Sequence, residues 1–307
     1  MLQQIRKLLE MIRFSHTIFA LPFALLAAVM AWQAPAESSE VAFSWLHLLG
    51  ILIAMVGARS AAMAFNRLVD RKIDAGNERT RSRHLPAGEL SVSAVVAFTV
   101  ISLVVYLLGT LLFLPNYLPL AVSLPVLFVL LGYSYTKRFT SLAHFWLGLA
   151  LALAPVCAWI AVRGSEVIAH PNDVWPSLVL GCAVMFWVSG FDMIYACQDY
   201  EFDREANLKS IPVRLGVAGA LRLAAVCHLI MIALLILLPV LHWWIGPELG
   251  LGWCYGLAVA AITCLLAYEH AIVRPNDLSR VNVAFFNVNA IVSVGLFLMA
   301  TIDLLIN

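Results

Sequence analysis

Nine apolar runs of roughly bilayer length, separated by polar loops, constrain this chain more than any other feature of its sequence. A helical crossing needs about 20 mostly apolar residues, and candidates lie at 16–33, 45–69, 91–114, 116–135, 142–162, 175–198, 216–240, 249–270 and 281–304. Hydrocarbon offers the backbone no hydrogen-bond partner, so such runs become helices. The expected fold class is therefore an all-α integral membrane protein with nine transmembrane helices, built as a single domain over residues 1–307. Only 12% of the 307 residues are charged, against roughly 25% in soluble domains. A net charge of +1 says little about partners, and no nucleic acid is expected among them. The partner that composition does imply is membrane lipid.

Lysine and arginine are distributed unevenly among the loops. The N-terminus and the loops after the second, fourth, sixth and eighth runs carry Arg6, Lys7, Arg13, Arg71, Lys72, Arg79, Arg81, Arg83, Lys137, Arg138, Arg204, Lys209, Arg214, Arg274 and Arg280, whereas the opposite loops carry Arg163. The positive-inside rule then places the N-terminus and the basic loops in the cytoplasm of a multi-pass protein of the cell's inner (plasma) membrane. No small-residue cleavage site follows the first run, which reads as a retained helix. The residues before it, with Leu2, Ile5, Leu8, Leu9 and Ile12 beside Arg6, Lys7 and Arg13, predict an amphipathic helix lying on the membrane. Six cysteines sit inside apolar runs without CxxC pairing, and are expected as small core residues.

Two acidic stretches interrupt this apolar background. Asn66, Asp70 and Asp74 are four residues apart at the end of the second run, so they share one face of a helix. Asp192, Tyr195, Asp199 and Asp203 follow the apolar stretch from Val179 to Gly190 at spacings of three and four, predicting a second stripe. Aligning Asp70 with Asp199 and Asp74 with Asp203 brings Arg79 close to Lys209 and Gly88 close to Gly216. This is a weak parallel repeat of about 1–140 and 141–307, unlike the inverted repeats common in transporters.

Carboxylates near a membrane core are costly, about 2.5–3.5 kcal/mol for one Asp at a helix centre. If the stripes face each other, a divalent cation relieves their repulsion, and a donor set of oxygens suits magnesium rather than zinc. Magnesium usually completes its shell with substrate phosphates. Arg79, Arg81, Arg83, Lys137, Arg138, Lys209 and Arg214 would then receive a diphosphate. Arg59 lies inside the second run, seven residues before Asn66, and an intramembrane arginine is a functional candidate by default; a structural ion pair with Asp192 or Asp70 is its other reading. Tyr133, Tyr135, Lys137 and Arg138 close the fourth run, where an interfacial belt places such residues anyway. His16, His228, His242 and His270 read as packing histidines or interfacial anchors, and Asn282, Asn287 and Asn289 as interhelical hydrogen bonders.

Three separated motifs carry a family resemblance: Asn66-x-x-x-Asp70-x-x-x-Asp74, Tyr133-x-x-x-Lys137-Arg138, and Asp192-x-x-Tyr195-x-x-Gln198-Asp199-x-x-x-Asp203. In this order the chain resembles the UbiA superfamily of intramembrane prenyltransferases over essentially its whole length. The resemblance implies nine helices around a central cavity with a cytoplasmic cap, and transfer of a polyprenyl group from polyprenyl diphosphate to an aromatic acid acceptor. By the same resemblance Asp70, Asp74, Asp199 and Asp203 bind Mg2+, Asn66 stands beside the diphosphate, and Arg79, Lys137, Arg138 and Lys209 hold phosphate oxygens. Tyr133 joins the substrate-binding set. Asp192 and Tyr195 are the catalytic candidates, steadying the acceptor or the allylic cation, and Arg59 and Arg13 the candidates for an acceptor carboxylate.

The segment from Arg13 to Pro22 resembles branches that prenylate 4-hydroxybenzoate in ubiquinone biosynthesis, and also a group that prenylates a naphthoate-type precursor of menaquinone. The first acceptor is the leading expectation and the second its alternative. An ion-coupled transporter is the rival from another class, since buried carboxylates also serve ion movement.

Overall fold

The structure, a computed structural model, describes residues 2–12, 19–37 and 41–306. Eight of its helical spans are long and apolar enough to cross a membrane. The first expected span contributes a shorter apolar helix, Leu21–Gln33, of 13 residues, so eight long spans replace the expected nine among the described residues. In chain order the helices are α1 (Leu2–Met11), α2 (Leu21–Gln33), α3 (Trp45–Gly76), α4 (Val92–Leu111), α5 (Leu118–Ala121), α6 (Ser123–Thr136), α7 (Ala143–Ala169), α8 (Trp175–Ala196), α9 (Tyr200–Glu205), α10 (Ile211–Leu237), α11 (Trp253–Ile272), α12 (Val281–Val283) and α13 (Asn289–Ile306).

Serine starts three of them. Ser44, Ser91 and Ser210 accept hydrogen bonds from the amides of His47, Ala94 and Val213 at the starts of α3, α4 and α10, satisfying donors that a helix leaves unpaired in its first turn. The 32 residues of α3 span about 48 Å at 1.5 Å per residue, well beyond a hydrocarbon core of roughly 30 Å. Its last turns therefore project from the apolar layer and carry Asp70 and Asp74 with them. Against α4 it packs at small residues: a Cβ on Gly57 would lie 2.5 Å from the Tyr106 amide nitrogen, and one on Gly109 2.7 Å from that of Ala54. Close backbone approach at glycine is how apolar helices gain contact without a hydrophobic driving force.

The most enclosed span is α8. It packs between α7 and α10 and supplies Trp187 and Phe191 to an aromatic cluster with Phe19, Phe23 and Phe285. Between α12 and α13 the helix widens into one π-turn, Ala284–Val288. Such a turn strains the backbone ladder, and Asn289 compensates. Its side-chain amide donates to the Ala284 and Phe285 carbonyls at 3.2 and 3.1 Å, while its oxygen accepts from Trp187 Nε1 at 2.7 Å. This interhelical role is the one expected of Asn289.

Two expectations change. The amphipathic α1 does not simply lie on a bilayer: Met11 and Ile12 are buried with Ala64, Leu85, Leu90 and Val95, and Lys7 pairs with Glu89 at 3.0 Å. Cys182 and Cys264 are exposed on the helix surface rather than in the core. Exposed Trp45, Trp243, Trp244 and Trp253 gather at helix ends remote from the acidic residues, as an interfacial belt requires.

Candidate active site

The C-terminal turns of α3, α6 and α8, the short α9 and the N-terminal turns of α7 and α10 meet at one end of the bundle. On α3 the four-residue spacing works as the sequence predicts, because the helix runs on to Gly76 and includes Asp74. Asn66 donates to Asp70 Oδ2 at 2.9 Å. Both aspartates are buried, and each has a cation. Arg138 reaches Asp70 at 3.3 Å, and Arg83 grips both oxygens of Asp74 at 2.7 and 2.8 Å.

The second stripe is bent by its backbone. The α-helix stops at Ala196, a 3-10 turn covers Cys197–Asp199, and α9 follows, so the four side chains do not share one continuous face. Asp192 turns toward α7, where His144 Nδ1 lies 2.6 Å from its Oδ2. Tyr195 turns toward the π-turn, its ring 4.2 Å from that of Phe285. Asp199 turns toward the 77–90 loop. Arg79 binds it with Nε and Nη2, Asn77 donates to it at 3.1 Å, and Arg79 Nη1 donates to the Tyr195 hydroxyl at 3.0 Å. Burial works against the Arg79 charge, yet the Asp199 carboxylate outweighs it and holds the guanidinium above its usual range. Asp203 is buried beside Ser210. Lys137 is within electrostatic reach of Asp70, Asp199 and Asp203 alike, which makes it the common cation of both stripes.

Two spaces adjoin this cluster. A polar one is lined by Glu10 of α1, by Arg67, Arg79, Arg83 and His84, and by Tyr195 and Gln198. An apolar chamber runs the other way, between α2, α3, α4, α6 and α7, with Arg59 and Tyr133 at its polar end and Phe113 and Ala161 in its far wall. Tyr133 connects the two, since Arg67, Asp70, Arg59 and Asp192 all act on it electrostatically. Anionic and cationic groups beside a long apolar chamber suit a ligand with a charged head and a hydrocarbon tail.

The chain is also similar to known proteins. Residues 20–291 match the UbiA prenyltransferase family. The chain belongs to that family. Among its relatives, the 4-hydroxybenzoate octaprenyltransferase of Methylococcus capsulatus is 32% identical over 256 residues, covering 80% of each chain. The apo structure of a UbiA homolog from Aeropyrum pernix K1 superposes with a TM-score of 0.81 at 31% identity, covering 94% of this chain and 98% of that one. A UbiA homolog from Archaeoglobus fulgidus bound to DMAPP and Mg2+ has a TM-score of 0.62 at 20% identity, with 94% and 99% covered, and shares the fold. Membership in a prenyltransferase family replaces the transporter reading.

Within this UbiA fold most of the residues singled out in the sequence lie together, and a few do not. Lys209 is spent on structure, its ammonium donating to the Phe139 carbonyl at 3.2 Å and its amide to the Lys137 carbonyl at 2.7 Å. Arg59 stands in the chamber wall, and the acids first considered for it have other partners: Asp192 is held by His144 and Asp70 by Arg138. Arg13 and His16 lie outside the described residues. Sequence reasoning missed Arg67, Asn77 and His144. Arg67 is buried next to Asn66 and 3.9 Å from Asp74. Its neighbour in the motif was the available signal. Nothing in the sequence marks His144, which meets Asp192 across 48 residues.

The carboxylates fit magnesium in chemistry, as hard oxygen donors on two facing elements. Among the described residues no three acidic, histidine or cysteine side chains stand close enough together to form a finished metal cage. Arginines stand on Asp70, Asp74 and Asp199.

Proposed function

We propose that this protein transfers a polyprenyl group from a polyprenyl diphosphate to an aromatic carboxylic acid, with 4-hydroxybenzoate as the acceptor. One observation carries the reading: two acidic helix ends, each neutralised by arginines, converge at the mouth of a chamber that is apolar along its length. The curated relative from Methylococcus capsulatus, named for this acceptor, supports it. So does the Archaeoglobus fulgidus homolog that binds DMAPP and Mg2+.

Asp70, Asp74, Asp199 and Asp203 would hold Mg2+, with Asn66 beside the diphosphate. The metal would supply charge neutralisation to the leaving diphosphate. The chain's own cations do the same from their side. Arg79, Arg83 and Arg138 already stand on the carboxylates, so they are placed to exchange those partners for phosphate oxygens when the donor binds. Lys137 adds a point charge that serves both stripes.

The tail lies in the chamber, whose walls from Ala58 to Phe113 are apolar. As the C1–O bond breaks, its electron pair leaves with diphosphate, and the allylic carbon becomes electron-poor. The acceptor ring supplies the pair that forms the new C–C bond, and the ring then loses a proton. Tyr195, packed on Phe285 and hydrogen-bonded to Arg79, offers a π-face to the developing cation. Arg59, at the polar end of the chamber, holds the acceptor carboxylate. Asp192 takes the proton, since its Oδ1 has no hydrogen-bond partner among the described residues. The site faces the cytoplasm of the inner membrane, in accord with the basic loops around it.

The test is incubation of purified protein with Mg2+, geranyl or longer diphosphates and a panel of aromatic acids, following prenylated product. Product from 4-hydroxybenzoate is the expected result. Product from a naphthoate acid alone would move the acceptor to the menaquinone precursor, and no product with any acceptor would overturn the activity.

A further inference from the structure

We propose that His144 is the positioning residue of the reaction: its Nδ1–H holds one oxygen of Asp192 so that the other faces the acceptor. The inference rests on the reading of Asp192 given above. It begins with a backbone group. Ile211 is the first residue of α10, and its amide is among those that a helix leaves without an internal partner. Ser210, the cap, accepts from Val213 instead. The Ile211 amide donates to His144 Nε2 at 3.4 Å.

An amide N–H is only a donor, so Nε2 must be the lone-pair nitrogen and the proton of the neutral ring sits on Nδ1. That N–H lies on Asp192 Oδ2 at 2.6 Å, a short hydrogen bond to a charged oxygen. The tautomer is thus fixed from one side and spent on the other. The ring itself is pinned. Its backbone carbonyl accepts from Ser189 Oγ at 3.3 Å, its side chain is buried, and α7 begins one residue earlier at Ala143.

What this geometry leaves open is informative. Asp192 Oδ2 is occupied and Oδ1 is unbonded among the described residues, while the side chain keeps 24% of its surface accessible. The groups facing the pair are Tyr133 from α6 and Asp203 from α9. Tyr133 lines the chamber, so the free oxygen and the place of the acceptor share a neighbour. His144 does not itself move the proton, because doing so would require Nε2 to give up the Ile211 amide.

Two substitutions separate the contacts of the imidazole. In His144→Asn the side-chain NH2 stands near the position of Nδ1 and retains a donor for Asp192, but the Ile211 amide loses its acceptor. In His144→Gln the amide oxygen reaches toward the position of Nε2 and keeps Ile211 satisfied, but Asp192 loses its donor. The steady-state kinetics of both are measured with Mg2+, a polyprenyl diphosphate and 4-hydroxybenzoate, after thermal unfolding in detergent has established that each is folded.

The expected result is a fall in kcat on the order of 10–100-fold for His144→Gln, the range typical for losing a partner that orients a reactive group. The KM for the prenyl donor stays at its wild-type value, and kcat of His144→Asn remains within about fivefold of wild type. The opposite pattern, with Gln active and Asn impaired, would make His144 a cap for α10 and overturn the proposal. Asp192→Asn decides between the two levels of the argument. If it is as active as wild type, the reading of Asp192 falls and His144 with it; if it is inactive while His144→Gln is not, only the role of His144 is overturned.

Discussion

Arginine–carboxylate pairs occur at both ends of this bundle, and they are built differently. Remote from the candidate site, Arg163 of α7 is fully buried. Its Nε and Nη2 bind Asp173 at 2.7 to 3.1 Å, and the remaining donors meet the carbonyls of Ala31, Ala34 and Pro35 at 2.8 to 3.0 Å. Trp159 Nε1 donates to the same aspartate at 2.9 Å. The ring of donors and acceptors is closed, and it ties α2, α7 and the turn before α8 together. Around Asp70, Asp74 and Asp199 the pairs are open. Arg79 and Arg138 keep 32% and 40% of their side-chain surface accessible, and a polar space and an apolar chamber adjoin them. The residue types are the same; saturation separates a clamp from a site that can exchange partners.

The contrast can be broken by removing an acid from each end. Asp199→Ala is expected to abolish Mg2+-dependent turnover, a loss on the order of 10³-fold or more for a group that organises the leaving diphosphate, with the melting temperature in detergent little changed. Product formation at saturating substrates checks it; retained turnover would place Asp199 in the clamp class. Asp173→Ala should do the reverse. Leaving Arg163 buried and unpaired costs about 3–5 kcal/mol, read as a large fall in thermal stability, while the molecules that remain folded keep their kcat. Arg59→Ala sharpens the division within the site. The acceptor KM should rise about tenfold, the loss of one charge-assisted hydrogen bond, and the donor KM should hold. A selective donor effect would rule out the carboxylate role.

The smallest effect belongs to a single cap. Asp303 of α13 accepts from the amides of Gly252, Cys254 and Tyr255 at the start of α11. Removing such a cap typically costs about 1 kcal/mol, so Asp303→Ala should lower the melting temperature modestly and leave product formation alone.

Much of the site was legible because its signal is local. The spacing of Asn66, Asp70 and Asp74 is a helical period, and the helix carries it through Gly76 intact. The second stripe was legible in its residues and not in its geometry, because the 3-10 turn at Cys197–Asp199 changes the angle per residue and sends Asp192, Tyr195 and Asp199 to three different neighbours. Lys209, expected beside phosphate oxygens, meets a backbone carbonyl for a related reason. The repeat aligns it near Arg79, but the chain at Asn207 turns through a positive φ of 54°, and its ammonium ends on a backbone carbonyl.

By itself the sequence determined that this chain is helical and membrane-embedded, since apolar length leaves the backbone no alternative, and that acid and base gather at the ends of two spans. Tertiary structure alone decided which base meets which acid. The pairs Arg79–Asp199, Arg138–Asp70 and His144–Asp192 are separated by 120, 68 and 48 residues. Helical periodicity fixes a side chain's angle about its own axis, and says nothing about which other axis lies opposite.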